Sequence, residues 1–170
     1  MRQIYDRFAA QHPDVVTVVQ EERMDEAARE AFVARFTTDK REACTGFAVM
    51  GGIFAEGIDL VGERLSGVAI VGVGLPSICW QRELIRHHFN RANHQGYPYA
   101  YIYPGINRVL QAAGRVIRGK RDRGVVLLID DRYRQQAYQR LLPPEWQPRR
   151  LHAADGVQQH LKEFWSRQDG

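Results

Sequence analysis

Gln111–Arg118 reads QAAGRVIR, and a short turn separates it from the apolar run Gly124–Asp130, GVVLLID. A glutamine, a glycine and two arginines three apart fill one helical turn and its lead-in. Residues three apart share a helix face, so Arg115 and Arg118 are expected to offer two guanidiniums to one anion. A guanidinium is a planar, permanently charged fork that matches phosphate oxygens. A helix with that face, leading straight into a continuous apolar strand, points to an α/β domain on a parallel sheet.

The neighbouring segments extend the alternation of strand and helix. Upstream, Val68–Val73 is continuously apolar and is expected to be a strand buried on both faces. A helix around Trp80–Asn93 follows, then a connector, Gly96–Pro104. There Tyr97, Tyr99, Tyr101 and Tyr103 alternate, which suits an edge strand with one buried face better than a base-stacking surface. Nearer the start, Ile4 and Phe8 make Met1–Ala10 an amphipathic helix. His12-Pro13-Asp14 turns into a β-branched strand, Val15–Val19. Asp25 is placed to cap a helix running to about Phe36, with Ala28, Phe32 and Phe36 as its inner stripe. Gly46–Gly51 reads as a second strand, and Gly51-Gly52 opens a loop.

Downstream, Val125–Ile129 is a strand and the region near Gln135–Leu142 a helix. Pro143-Pro144 and Pro148 mark a boundary, giving a main domain over 1–142 and a linker with a last helix, Asp155–Ser166, over 143–170. Leu161, Phe164 and Trp165 form an apolar patch on that helix, to pack on the domain or to dock a partner protein.

The bulk numbers set limits. A chain of 170 residues with 44% hydrophobic and 26% charged content fits one globular domain with a core. A net charge of +4 is compatible with nucleic acid without being diagnostic. Cys44 and Cys79 form no CxxC, so no disulfide framework or four-cysteine cluster arises, and a reduced, cytoplasmic setting is expected. The charged start MRQIYDRFAA lacks the apolar core of a signal peptide, and Val68–Leu75 is too short to cross a bilayer, so no membrane partner is expected. His87, His88 and His94 lack further ligands at metal spacing, so no metal site is assigned.

Two motif matches fail on inspection. Gly114–Lys120, GRVIRGK, has the spacing of a phosphate-cradling P-loop, but Arg121 stands where Ser or Thr must bind magnesium, and the residues before Gly114 read as helix, not strand. Leu127–Asp131, LLIDD, imitates a strand ending in magnesium-binding acids; its plainer reading is a central strand whose Asp130 pairs with a nearby arginine.

From Gly51 onward the chain resembles the second RecA-like motor domain of the DinG and XPD/Rad3-like branch of superfamily 2 DNA helicases. GGIFAEGIDLVGERLSGVAIVGVGLP (Gly51–Pro76) resembles motif V, with Glu56, Gly57 and Asp59 at its core. QAAGRVIR resembles motif VI, and DRGVVLLIDDRY (Asp122–Tyr133) resembles the strand and Asp-x-Arg-aromatic signature after it. The resemblance implies a three-layer RecA-like fold of the P-loop NTPase type with a mainly parallel sheet. It also implies an ATP site shared with an N-terminal motor domain, which holds the phosphates and magnesium. Arg115 and Arg118 are then arginine-finger candidates and Gln111 a γ-phosphate sensor, with Glu56, Gly57, Asp59 and Gly114 on the nucleotide side. The plain alternative for the arginines is a solvated helix face; Gln111, Gly114 and the motif V segment together outweigh it.

Single-stranded DNA is the implied track, with Arg64, Arg82 and Arg86 as backbone-contact candidates; the alternative for each is a solvated charge. Iron–sulfur cysteines of the family lie in its first motor domain, so no cluster is expected in this chain. The family's second domain opens with an apolar strand before the helix matching Met1–Ala10, and this strand is expected to be missing here. Taken alone, the chain is expected to be inactive. The other readings are a self-sufficient P-loop NTPase, disfavoured by Arg121, and a non-catalytic module that binds nucleic acid or a partner through a helicase-like fold.

Overall fold

The first amphipathic segment folds as α1 (Arg2–Gln11), and its Tyr5 and Phe8 rings each meet Phe47 with centroids 5.4 Å apart. The structure, a computed structural model, describes residues 1–37, 43–52, 65–117, 122–151 and 154–166. β1 (Val16–Val19) is followed by α2 (Glu26–Ala34). Asp25 starts that helix by accepting the Ala28 amide at 2.8 Å, which satisfies one of its orphan donors. Phe32 and Phe36 are buried beneath Val18 and Leu65.

β2 (Cys44–Phe47) runs parallel to β1, from Cys44 opposite Val16 to Phe47 opposite Val19. The strand expected at Gly46–Gly51 thus sits earlier. Residues 48–52 leave the ladder, the Val49 amide donates to the Gln20 side chain at 2.9 Å, and Gly51 turns the chain at φ +82. Glycine tolerates that left-handed backbone where a Cβ would not.

β3 (Gly67–Val71) and β4 (Val125–Ile129) form a second parallel pair, with Gly67 opposite Val125 and Val71 opposite Ile129. Among the described residues the strands therefore form two two-stranded parallel sheets, β1-β2 and β3-β4, and not one continuous sheet. Burial of β3 on both faces is also corrected: Ile70 is buried but Val71 is 54% and Ile129 46% exposed. Burial alternates because the helical cover, through Val109 and Ala113, lies on the Ile70 side.

α3 (Trp80–Asn93) leads through a π-helical turn, Pro98–Ile102, into α4 (Tyr103–Ala113). The tyrosines are therefore not an edge strand. Their spacing satisfies a helical turn as well as it satisfies alternation, since every second tyrosine is four residues on. Tyr97 meets Tyr101 at 5.2 Å and Tyr99 meets Tyr103 at 5.1 Å, while Tyr99 stacks on Phe89 at 3.9 Å. Glu83 accepts the Tyr101 hydroxyl at 2.6 Å, fastening the turn to α3.

α4 stops at Ala113, with Gly114 as its cap. The Arg115 and Val116 amides reach back three residues, to Ala112 and Ala113 at 3.3 and 3.0 Å. Arg115 therefore lies in the closing turn, and Arg118, expected to share its helix face, lies outside the described residues. Glycine followed by Val116 and Ile117 favours such an end, because glycine and β-branched residues lower helix propensity.

After β4 a 3-10 turn, Asp131–Arg134, and a short α5 (Gln136–Gln139) replace the single helix expected near Gln135–Leu142. α6 (Ala154–Ser166) is held by Arg123, whose guanidinium lies 4.8 Å from the Phe164 ring centre and 5.7 Å from that of Trp165.

One polar corner fixes the exit of β4. Asp130 accepts the Arg132 amide at 2.9 Å and both guanidinium arms at 2.9 and 2.8 Å. The Tyr133 hydroxyl donates to the Gly72 carbonyl at 2.9 Å, tying this corner to the exit of β3. Hydrogen bonds from Arg132 hold the Asp130 carboxyl below its ordinary range, whereas burial pushes Tyr133 up to about 12.

Two predictions follow from these contacts. A Cβ on Gly105 would stand 2.6 Å from the Val73 carbonyl oxygen and 3.1 Å from the Leu75 nitrogen. Gly105→Ala should therefore force α4 off β3 and lower stability by about 2 kcal/mol, read from urea denaturation midpoints. Asp130→Asn should cost about 1–2 kcal/mol at neutral pH. Because the folded carboxyl is depressed, that contribution is present above the ordinary aspartate value of about 3.9 and fades as pH falls through the lower folded value. The gap between the two proteins should then narrow in melts taken near pH 3.

Candidate functional site

The carboxyl ends of β2, β3 and β4 carry the loops of interest, where open α/β sheets place their ligands. Gly74 leaves β3 at φ +67, and a Cβ on it would lie 2.5 Å from the Gly105 carbonyl oxygen. The missing side chains on both glycines bring the start of α4 directly onto the exit of β3. One turn later, Arg108 donates to the Gly74 carbonyl at 3.4 Å. The same guanidinium lies 2.9 Å from where a Cβ on Gly51 would be. Arg108 thus joins the exit of β3 to the first residue of the motif V segment.

Gln111 is exposed three residues further along α4, and half-buried Arg115 follows in the closing turn. Arg108 and Gln111 are spaced to lie along one side of the helix, and Arg115 follows beyond its cap. Arg115 comes next to Val116, which packs on Gly124 at the amino end of β4. The structure therefore brings Gly51 and Arg108 together and leaves Arg115 in the turn beyond the end of α4. Two guanidiniums and an amide suit anionic oxygens, not a cation. Among the described residues no group of three His, Cys, Asp or Glu side chains could hold a metal.

Arg108 was missed in the sequence. Its signal was its place three residues before Gln111 on the same helix face, which an eye fixed on QAAGRVIR passes over. Arg132 and Tyr133 were noted only as part of a signature; their forks and hydroxyl are committed to Asp130 and Gly72. Glu56, Gly57, Asp59 and Arg64, like Arg118, lie outside the described residues.

The nucleic-acid candidates on α3 differ from each other. Arg82 donates to the Ala100 carbonyl at 2.9 Å and so braces the π-helical turn. Arg86 meets Glu83 at 3.2 Å on the exposed side of the helix. The Tyr101 hydrogen bond, followed by the nearby Arg86, lowers Glu83, and the same bond raises Tyr101. Cys44 is half-buried and Cys79 exposed, both as free thiols; burial pushes the Cys44 thiol up against the opposing pull of Arg35. Among the described residues no helix is long and apolar enough to cross a membrane.

Comparison with known proteins gives this geometry its context. Residues 1–149 match the family described as helicase C-terminal domain. A probable ATP-dependent helicase of Methanocaldococcus jannaschii is 31% identical over 109 residues, covering 59% of this chain and 17% of that protein. The ATP-dependent DNA helicase chl1 of Schizosaccharomyces pombe is 28% identical over 117 residues, covering 64% of this chain and 14% of its own. Its Caenorhabditis elegans counterpart, chl-1, is 35% identical over 99 residues, covering 56% and 12%. The chain thus spans 12–17% of the length of these curated relatives. An XPD structure in its apo form superposes with a TM-score of 0.61 at 22% identity, over 82% of this chain and 28% of that one. Parallel strands, the QAAGRVIR helix end and a family match over 1–149 agree, and the chain belongs to the helicase C-terminal domain family.

Proposed function

We propose that the chain works as the second motor domain of an ATP-dependent DNA helicase, a three-layer RecA-like unit that completes an ATP site held mainly by a first motor domain. The observation that carries this reading is the stripe formed by Arg108 and Gln111 on α4, followed by Arg115 in the turn that closes it, and anchored at Gly51 where the motif V segment begins. Family membership supports it, as do relatives named as ATP-dependent helicases.

In this reading ATP, when bound, supplies the γ-phosphoryl group whose transfer to water drives movement. The Gln111 amide hydrogen-bonds a γ-phosphate oxygen. Arg115 and Arg118 set guanidiniums against the oxygens on which charge builds, a role that can contribute ~10³–10⁵ in rate. Gly114 ends α4 directly before Arg115. Glu56, Gly57 and Asp59 orient the arginines and couple the cleft to the DNA track. Magnesium belongs to carboxylates of the first domain, since the donors here are cationic. Single-stranded DNA passes over the basic side chains, with Arg64 and Arg86 pairing with phosphates. Arg82, fixed on Ala100, shapes that surface and offers its remaining N–H groups.

The reading is tested in a helicase containing both motor domains. Arg115→Ala should lower kcat for ATP by about 10³-fold while KM stays within about threefold, measured by steady-state hydrolysis. Turnover within twofold or so of the parent would remove Arg115 from the finger role. On single-stranded DNA, Arg86→Ala should weaken binding uniformly across sequences and reduce the salt slope by about 0.7, read by fluorescence anisotropy at several ionic strengths.

A further inference from the structure

β1 stops at Val19, opposite Phe47, and the same register places Gln20 opposite Ala48. In a parallel ladder a residue donates to the partner strand just before its opposite number and accepts from just after it. The first half of that rung is made: the Gln20 amide donates to the Phe47 carbonyl at 2.8 Å. The second half would run from the Val49 amide to the Gln20 main-chain carbonyl. It goes instead to the Gln20 side chain, whose Oε1 accepts the Val49 amide at 2.9 Å. Only the carbonyl end of a side-chain amide accepts from an N–H, so this bond also fixes which way the side chain faces.

The side-chain carbonyl thus takes the place of the main-chain one, and the ladder ends in a tight turn. The Gly52 amide donates to the Val49 carbonyl at 2.9 Å, and Gly51 before it takes φ +82. A positive φ at the third of four residues is the type II arrangement, which calls for glycine. A Cβ on Gly52 would stand 2.7 Å from the Gln20 Nε2, and one on Gly51 would stand 2.9 Å from the Arg108 guanidinium. The turn that opens the motif V segment is therefore held between an amide reaching from the end of β1 and a guanidinium reaching from α4. The Arg108 bond to Gly74 is long, at 3.4 Å, so Gln20 is the firmer of the two grips.

The bond contributes position more than stability. Val49 is 50% exposed, so water can satisfy its amide if the Gln20 acceptor is lost. What water cannot do is hold the turn at one distance from Arg108.

We infer that Gln20 is a positioning residue of the motor: by holding Val49 beside Gly52, it sets the departure of the motif V segment against Arg108 and, through α4, against Gln111. It touches no reacting atom. The inference rests on the motor reading proposed above.

The test compares Gln20→Met, which fills the same space without an acceptor, with Gln20→Glu, which keeps the acceptor. In a helicase containing both motor domains, Gln20→Met should lower kcat for DNA-stimulated ATP hydrolysis about tenfold, since a small misplacement remote from the chemistry slows it. KM for ATP should stay within about twofold, and the thermal midpoint within about 3 °C. Gln20→Glu should restore kcat to within about twofold of the parent. In the full chain, hydrogen exchange at the Val49 and Gly52 amides should quicken about tenfold in Gln20→Met and not in Gln20→Glu. Parental kcat in Gln20→Met would overturn the inference. So would an equal loss in both variants, which would assign the effect to packing. Arg115→Ala is assayed alongside: its full turnover would sink the finger role but leave the Gln20 comparison readable, because that comparison needs only a measurable parental rate.

Discussion

Two backbones meet at Gly74 and Gly105 at a distance that no side chain on either residue would allow. Much of the site geometry depends on this approach. It seats α4 on the exit of β3, puts Val109 and Ala113 over Ile70, and aims Arg108 at the loop after β2. A helix held there by side chains alone would stand a methyl group or more away, and the stripe that ends in Arg115 would lose its anchor at Gly51. The Asp130–Arg132 and Tyr133–Gly72 bonds act on the neighbouring strand in the same sense, setting the exits of β3 and β4 against each other.

The chemistry of the stripe is what the proposed role as one side of a cleft rests on. Cationic and amide groups stabilise negative charge but cannot hold a magnesium ion. Among the described residues, Asp130 is engaged with Arg132, and Glu83 with Tyr101 and Arg86. In the motor reading proposed above, a second surface presents a metal-bound phosphate to these donors, and the relative position of the two surfaces reports the state of the nucleotide.

Asp25 marks the start of α2 in the sequence, a helix around Trp80–Asn93 forms as expected, and Val125–Ile129 is evident from its continuous apolar run. The tyrosine turn was misjudged because a spacing of two contains a spacing of four, and only the partners Phe89 and Glu83 settle which period holds. Gly114 was read as part of a phosphate-facing helix when it also ends that helix. Gln111 and Arg115 belong to a motif visible in the sequence, whereas the contacts of Arg108 with the Gly74 carbonyl and with Gly51 are remote in sequence and carry no local signal. The division of the strands into two pairs is likewise a long-range property that no local pattern encodes.

The π-helical turn at Pro98–Ile102 sits directly before α4 and runs into it without a break. Such a turn holds one residue more than an α-helical path between the same points. Each α-helical residue advances the chain by about 100° around the axis, so the turn sets the angular phase of everything that follows. With the aromatic contacts on one side and the glycine contact on the other fixed, loss of one residue here would rotate Gln111 and Arg115 by about a quarter turn relative to the strands. A single-codon deletion in this turn would thus re-aim the site without touching any residue in it.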